Sequence, residues 1–129
     1  MRVGITDRVA TGRVTSEHVL DDVPETLSLR DLIRLRVREE VARHNANPSD
    51  VFDGLVCPED GEAGPSGYRL PSSRRIDWEQ QADAAIRAFE HNGFFVLVGN
   101  AQVTDLDAQV DLSEATEVAF VRLVPLVGG

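Results

Sequence analysis

The chain has 129 residues, a length typical of one domain and sufficient to bury a hydrophobic core. With 42% hydrophobic and 27% charged residues, its composition is that of a globular protein rather than a disordered one. A net charge of −9 argues against nucleic acid or an anionic membrane as the main partner. The single cysteine, Cys57, excludes an internal disulfide framework and a four-thiolate iron–sulfur cluster held by one chain.

The longest apolar run, residues 94–98, suits a buried strand and is too short to cross a bilayer. The first seven residues are already patterned like a strand, which argues against a secretory signal. We therefore expect a cytoplasmic protein that does not bind membranes.

All 13 basic residues are arginines, and the sequence contains no lysine. A GC-rich genome would produce this bias through its codons. A functional explanation is that a protein which attaches its own terminus to amines avoids presenting an ε-amine, leaving only the amine of Met1.

Two strands open the chain. Apolar residues alternate over residues 3–9 and again over residues 13–20, as on the two faces of a sheet. Between them, Gly12 supplies the positive φ of a hairpin turn. The pattern predicts an antiparallel pair.

A helix follows, with Ser28 as its N-cap and Asp31 three residues later. It ends before Pro48. Arg30, Arg34 and Arg38 lie along one flank and are candidates for partner docking. The alternative is a solvated face with i, i+4 pairing, such as Arg36 with Glu40. The buried stripe is predicted to contain Leu29, Leu32, Ile33, Val37 and Val41.

Residues 48–75 are predicted to be an irregular insert, with residues 57–67 as an exposed, mobile loop. Its acidic residues lack the ordered spacing of a calcium-binding loop. Cys57 has no histidine near it in sequence, and neighbouring carboxylates should raise the pKa of its thiol. We therefore expect Cys57 to be unreactive. The histidines, His18, His44 and His91, are scattered over separate elements.

A second helix is predicted to begin after Asp77, a good N-cap. Gly93 is its predicted C-terminal stop. A buried strand then covers residues 94–98, and Gly99-Asn100 form a tight turn. The helix is predicted to bury Trp78, Ala82, Ala85, Ile86 and Phe89.

The last thirteen residues hold the most informative pattern. A strand begins at Glu117, with Val118 and Phe120 on one face. Pro125 stops its pairing, because proline has no N–H to give to a ladder. Gly128-Gly129 then lack any Cβ that would block entry into a narrow enzyme channel. The alternative is a frayed terminus, where glycine is common.

This order of elements resembles the β-grasp fold of ubiquitin-like proteins. The closest local likeness is to the sulfur carriers of thiamine and molybdopterin synthesis, and it lies in residues 96–100, 105–111, 117–118 and 124–129. The insert and the helix at Trp78 are departures, and Leu126 stands where those carriers have a second proline. The size is closer to that of a bacterial ubiquitin-like modifier.

The resemblance implies an α+β, β-grasp fold. A mixed sheet of four to five strands would pack on a helix, with an inserted loop and a second helix. Residues 1–129 would form a single ubiquitin-like domain, and residues 124–129 a flexible diglycine tail.

The resemblance also implies a protein that is not an enzyme and binds no cofactor. An activating enzyme, using ATP and Mg²⁺, would adenylate the carboxylate of Gly129. The acyl group would pass to a target amine or, in a sulfur carrier, become a thiocarboxylate for a sulfur-accepting enzyme. Gly128 and Gly129 would be the reactive element. The arm recognised by the activating enzyme would contain Val124, Pro125, Leu126 and Val127.

Two other functions compete with this one. An interaction adaptor would bind a protein through its sheet or through the Arg30, Arg34 and Arg38 face, with an irrelevant tail. An enzyme would need Cys57 or the histidines as catalytic groups.

Overall fold

The computed structural model describes residues 1–64, 67–113 and 117–123, and within them two helices and ten strands form. In chain order these are β1 (Val3–Val9), β2 (Val14–Leu20), β3 (Thr26–Ser28), α1 (Leu29–Ala46), β4 (Val51–Phe52), β5 (Glu62–Gly64), β6 (Gly67–Arg69), α2 (Trp78–Glu90), β7 (Phe94–Val98), β8 (Ala101–Val103), β9 (Gln109–Asp111) and β10 (Glu117–Arg122).

The chain divides into two compact units, and the divisions fall inside the two helices. The sheet unit comprises three described ranges, residues 1–32, 89–113 and 117–123. The central unit comprises the described residues of 33–88.

A five-stranded mixed sheet forms the sheet unit, in the order β2-β1-β10-β7-β8. β1 and β10 are parallel neighbours in the middle, whereas the β1–β2, β10–β7 and β7–β8 pairs are antiparallel. β3 and β9 form a separate antiparallel pair. The predicted α+β class and the predicted strand number are therefore confirmed.

Both predicted hairpin turns are present. Gly12, with a φ of 93°, lies between β1 and β2, and its N–H donates to the carbonyl of Val9 at 2.8 Å. Gly99, with a φ of 60°, opens the turn between β7 and β8. Left-handed backbone favours glycine at both positions, because a Cβ would be strained there.

Most of the buried side chains of the five-stranded sheet lie on one of its faces. The ring of Phe94 lies 6.0 Å from that of Phe120 and 5.7 Å from that of Phe89, centroid to centroid. Each fully buried large side chain contributes about 1.5–3 kcal/mol to folding. The side chains buried on this face of the strands are those of Val3, Ile5, Leu20, Phe94, Val96, Val118 and Phe120.

Helix α1 begins as predicted. The hydroxyl of Ser28 accepts the N–H of Asp31 at 3.0 Å, which satisfies one of the free donors at the helix start. The complete predicted stripe is buried, since Leu29, Leu32, Ile33, Val37 and Val41 are at most 1% exposed.

The prediction of a solvated face with Arg36–Glu40 pairing is half wrong. The pair forms, with Arg36 Nε 3.3 Å from Glu40 Oε2, but both residues are only 3% exposed. The i, i+4 spacing predicts that Arg36 and Glu40 pair on the helix. It cannot predict that the pair is buried, because the groups that cover it, such as Leu55, are distant in sequence.

The central unit is more ordered than the sequence predicted. The supposedly irregular residues 48–75 contain the antiparallel sheet β4-β6-β5, with Phe52 completely buried. Glycine and short polar residues suggested a loop, yet strands of two or three residues are too short to show an alternating pattern. The residues from Glu59 to Gly64 are mostly exposed, as expected.

Helix α2 has the predicted N-cap, since Asp77 Oδ1 accepts the N–H of Glu79 at 3.0 Å. Its stop differs in detail, because Asn92, with a φ of 61°, takes the left-handed conformation expected of Gly93. Trp78 and Phe89 are half-buried rather than buried. Neither α1 nor α2 has a stretch apolar and long enough to span a membrane, considering only the described residues.

Candidate functional site

The candidate reactive element is the diglycine, and β10 leads to it. In the middle of the sheet, β10 pairs with β1 from Glu117 to Arg122 and with β7 from Val118 to Arg122. After it, the N–H of Leu123 donates to the carbonyl of Gly93 at 2.9 Å. The segment before the tail is thus held by backbone hydrogen bonds on both sides. The predicted tail, residues 124–129, lies outside the described residues.

Side chains also fix the start of β10. Glu117 Oε1 accepts the hydroxyl of Thr6 at 2.9 Å and Nη2 of Arg8 at 2.7 Å. Both donors belong to β1, the parallel neighbour of β10. The carboxylate therefore adds side-chain contacts between β1 and β10 to their backbone hydrogen bonds. These contacts lie on the face of the sheet where Glu17 and Val19 are exposed.

Two candidate docking arginines of α1 contact acidic side chains. In the sheet unit, Arg30 Nη2 lies 3.3 Å from Asp107 Oδ1. In the central unit, Arg34 Nη1 lies 3.6 Å from Asp83 Oδ1. Both pairs are partly or largely solvent-exposed, so each contributes little to stability.

Trp78 contacts two of these arginines, although the sequence analysis predicted that it would be part of the core. The guanidinium carbons of Arg34 and Arg38 lie 5.2 and 5.7 Å from the centroid of its ring. Cations at this distance are attracted to the ring face. The signal in the sequence was the i, i+4 spacing of the two arginines, but only the fold brings Trp78 to them.

Cys57 does not have the environment of a nucleophile. Burial raises the pKa of its thiol above the ordinary 9.0, and the nearby carboxylates of Asp60 and Glu62 raise it further. The predicted effect of the carboxylates is present, and burial is the larger cause. A raised pKa leaves little thiolate at neutral pH, and the thiolate is the reactive form.

A polar cluster on the β1–β2 hairpin was not predicted. Ser16 donates to the buried carboxylate of Asp7 at 2.9 Å, and its oxygen lies 3.1 Å from Nε2 of His18. The same His18 nitrogen is 3.5 Å from Asp7 Oδ2. Since one ring nitrogen faces both partners, His18 does not relay between serine and carboxylate as a catalytic triad requires.

An open groove of about 540 Å³ lies within the sheet unit. Its apolar lining includes Phe89, Phe94 and Phe95, with Arg30 and Asp107 at its polar side. Its size is within the range of ligand pockets. Within the ranges 1–64, 67–113 and 117–123, no three metal-ligating side chains converge here or elsewhere.

Charge divides unequally between the two units. Residues 1–32 and 89–129 contain five arginines and twelve carboxylate residues, a net charge of −7. Residues 33–88 contain eight arginines and ten carboxylate residues, a net charge of −2. The sequence that includes β10 and the tail is therefore the acidic part, and it would be attracted to a basic partner surface.

No family model, no curated protein and no solved structure matches this chain.

Proposed function

We propose that this chain is a ubiquitin-like protein whose Gly129 carboxylate is adenylated by an activating enzyme and then conjugated to a target amine. The observation that carries the proposal is the order of features at the end of the chain: a central core strand, then Pro125, then Gly128-Gly129. The five-stranded sheet, with its first and last described strands as parallel neighbours, is compatible with a β-grasp fold.

The proposed reaction has three steps. The carboxylate attacks the α-phosphorus of ATP and releases pyrophosphate. A cysteine thiolate of the activating enzyme then attacks the acyl carbon, so that a thioester forms and AMP leaves. Finally, the amine of the target forms an amide, loses a proton, and releases the thiol.

The geometry of β10 supports this role. Two ladders hold β10, and residues 124–129, which include the diglycine, come after Leu123. Fully extended, they would reach about 20 Å. This length would let an enzyme take the diglycine into its active site while it grips the acidic sheet unit.

The test is intact-mass analysis after incubation with ATP, Mg²⁺ and lysate from the source organism, with neighbouring operon proteins supplied. We expect a covalent adduct that requires Gly129. Loss of Gly128-Gly129 should abolish it and leave the fold intact. The matched control is Gly64→Ala, in exposed β5, where a Cβ meets its nearest atom at an ordinary 3.4 Å. Adducts that persist without the diglycine would overturn the proposal.

The same measurement separates the alternative carrier role. Replacement of one oxygen by sulfur would give a small mass gain instead of an adduct, as expected of a sulfur carrier with a C-terminal thiocarboxylate. An unchanged mass under all conditions would favour the adaptor, with binding through the Arg30, Arg34 and Arg38 face.

A further inference from the structure

The arginines of this chain are mainly surface residues. Arg36 alone is buried among the arginines that the structure describes. Seven are exposed, namely Arg2, Arg13, Arg38, Arg43, Arg69, Arg75 and Arg87. The absence of lysine is therefore a property of the surface, where lysine is ordinarily common.

Some of these positions use the shape of the guanidinium. Arg74 makes two contacts to the carboxylate of Asp60, and Arg36 does so with buried Glu40. Arg34 and Arg38 lie over the ring of Trp78. A planar group with several donors suits these sites better than an ammonium does.

Four other arginines occupy positions where the shape of the guanidinium is not used. The side chains of Arg13, Arg43, Arg69 and Arg75 have no hydrogen bond, ion pair or ring contact with any residue in the described ranges. Lysine would supply the same exposed charge there. The contacts in the fold therefore do not explain why arginine occupies all four sites.

The chemistry of the proposed function supplies a reason. An ε-amine can attack an acyl adenylate or thioester: the C–N bond forms, the bond to AMP or thiol breaks, and a proton is lost. A guanidinium stays protonated at neutral pH and does not react in this way. We propose that this chain is a donor that excludes itself as an acceptor, so that each target amine receives a single copy. This inference rests on the proposed function.

The test introduces one amine at an exposed site. Arg75→Lys and Arg13→Lys should fold like the wild type, since both positions are exposed and exposed substitutions usually change stability little. Arg75→Gln and Arg13→Gln are the matched controls, because they remove the charge and add no amine. Each variant is incubated with its activating enzyme, ATP, Mg²⁺ and target.

We expect the wild type and the glutamine variants to give adducts in which no copy of the chain is linked to another copy. The lysine variants should add species at least one chain heavier, linked at position 75 or 13 by peptide mapping. If no variant forms links between copies of the chain, the inference is overturned, and codon bias explains the absence of lysine. Wild-type chains linked to one another, through Met1 for example, would overturn it too. No adduct from the wild type would instead reject the proposed function and this inference with it.

Discussion

The two units of this protein are each stabilised by a different kind of internal contact. In the sheet unit, the four strands β1, β2, β7 and β10 have five to seven residues and pair along ladders whose donors and acceptors are backbone groups. In the central unit, strands have only two or three residues. Here, polar side chains of the two helices bind backbone groups of the intervening chain.

Among the described residues of the central unit, side chains of Glu40, His44, Asn45 and Gln81 form such clamps. Glu40 accepts the N–H of Leu55 at 3.0 Å, and Asn45 both donates to and accepts from the backbone of Ile76 at 2.8 Å. The other two join His44 to the carbonyl of Arg74 and Gln81 to that of Val56, both at 2.7 Å. A sheet ladder tolerates many side chains, whereas each clamp depends on one particular residue.

The largest expected effect comes from Glu40→Ala. It leaves the Arg36 charge buried without Glu40 and removes the acceptor of Leu55 N–H. Loss of one partner of a buried ion pair costs about 3–5 kcal/mol. Urea unfolding should show this loss. The control is Glu39→Ala, the exposed neighbour, which should change stability by at most about 0.5 kcal/mol. Equal losses in both variants would contradict the clamp.

Asn45→Ala should have the next largest effect. It removes two hydrogen bonds to Ile76 and leaves partly buried backbone groups without them, at a cost of about 1–3 kcal/mol. Hydrogen exchange should show faster opening of the Ile76 amide while β1 and β10 stay protected. Asn47→Ala, at an exposed position just beyond α1, should leave exchange unchanged. Faster exchange throughout β10 would reject the distinction between the units.

In the sheet unit, Glu117→Gln should cost less. The amide oxygen can still accept from Thr6, and only the charge facing Arg8 is lost. Since the two charged side chains are 42% and 31% exposed, we expect at most about 1 kcal/mol. Thermal or urea unfolding measures it. A loss as large as that of Glu40→Ala would mean that side chains, rather than ladders, hold the central strands.

Ionisation of Cys57 should have the smallest effect on stability, but it should change the reactivity of the thiol clearly. Folding raises the pKa of the thiol, so this group's contribution to stability is present below pH 9 and is lost as pH rises beyond it. The thiol is therefore mainly protonated at neutral pH, and the protonated form is the unreactive one. Iodoacetamide labelling should therefore be slow, with its pH midpoint above 9.0. In urea the midpoint should fall. Rapid labelling of the folded protein near pH 7 would contradict this and revive a catalytic role.

The same difference explains what could be predicted from the sequence. Alternation over residues 3–9 and 13–20 and the apolar run at 94–98 predicted three strands, and the stripe from Leu29 to Val41 predicted the buried side of α1. Those signals are local, because periodicity follows from the geometry of one element.

The clamps and the pairing of β6 with β4 and β5 were missed because their signals are not local. Asn45 and His44 resembled ordinary polar residues near the end of a helix, and their partners lie about 30 positions away. For the candidate site, the sequence predicted a core strand from Glu117 before the diglycine, and β10 confirms that strand. It could not predict that Trp78 would lie beneath two of the candidate docking arginines.

The parallel pairing of β1 with β10 has a consequence for synthesis of the chain. Residue 4 pairs with residue 117, so β1 lacks its central neighbour until synthesis has passed residue 117. Contacts of such long range make folding slow, and ribosomes deliver the N-terminal end first. A nascent chain interrupted before residue 117 therefore lacks the strand that completes its sheet. Gly128-Gly129 are therefore synthesised only after every strand of the five-stranded sheet, since β10 precedes them in the chain.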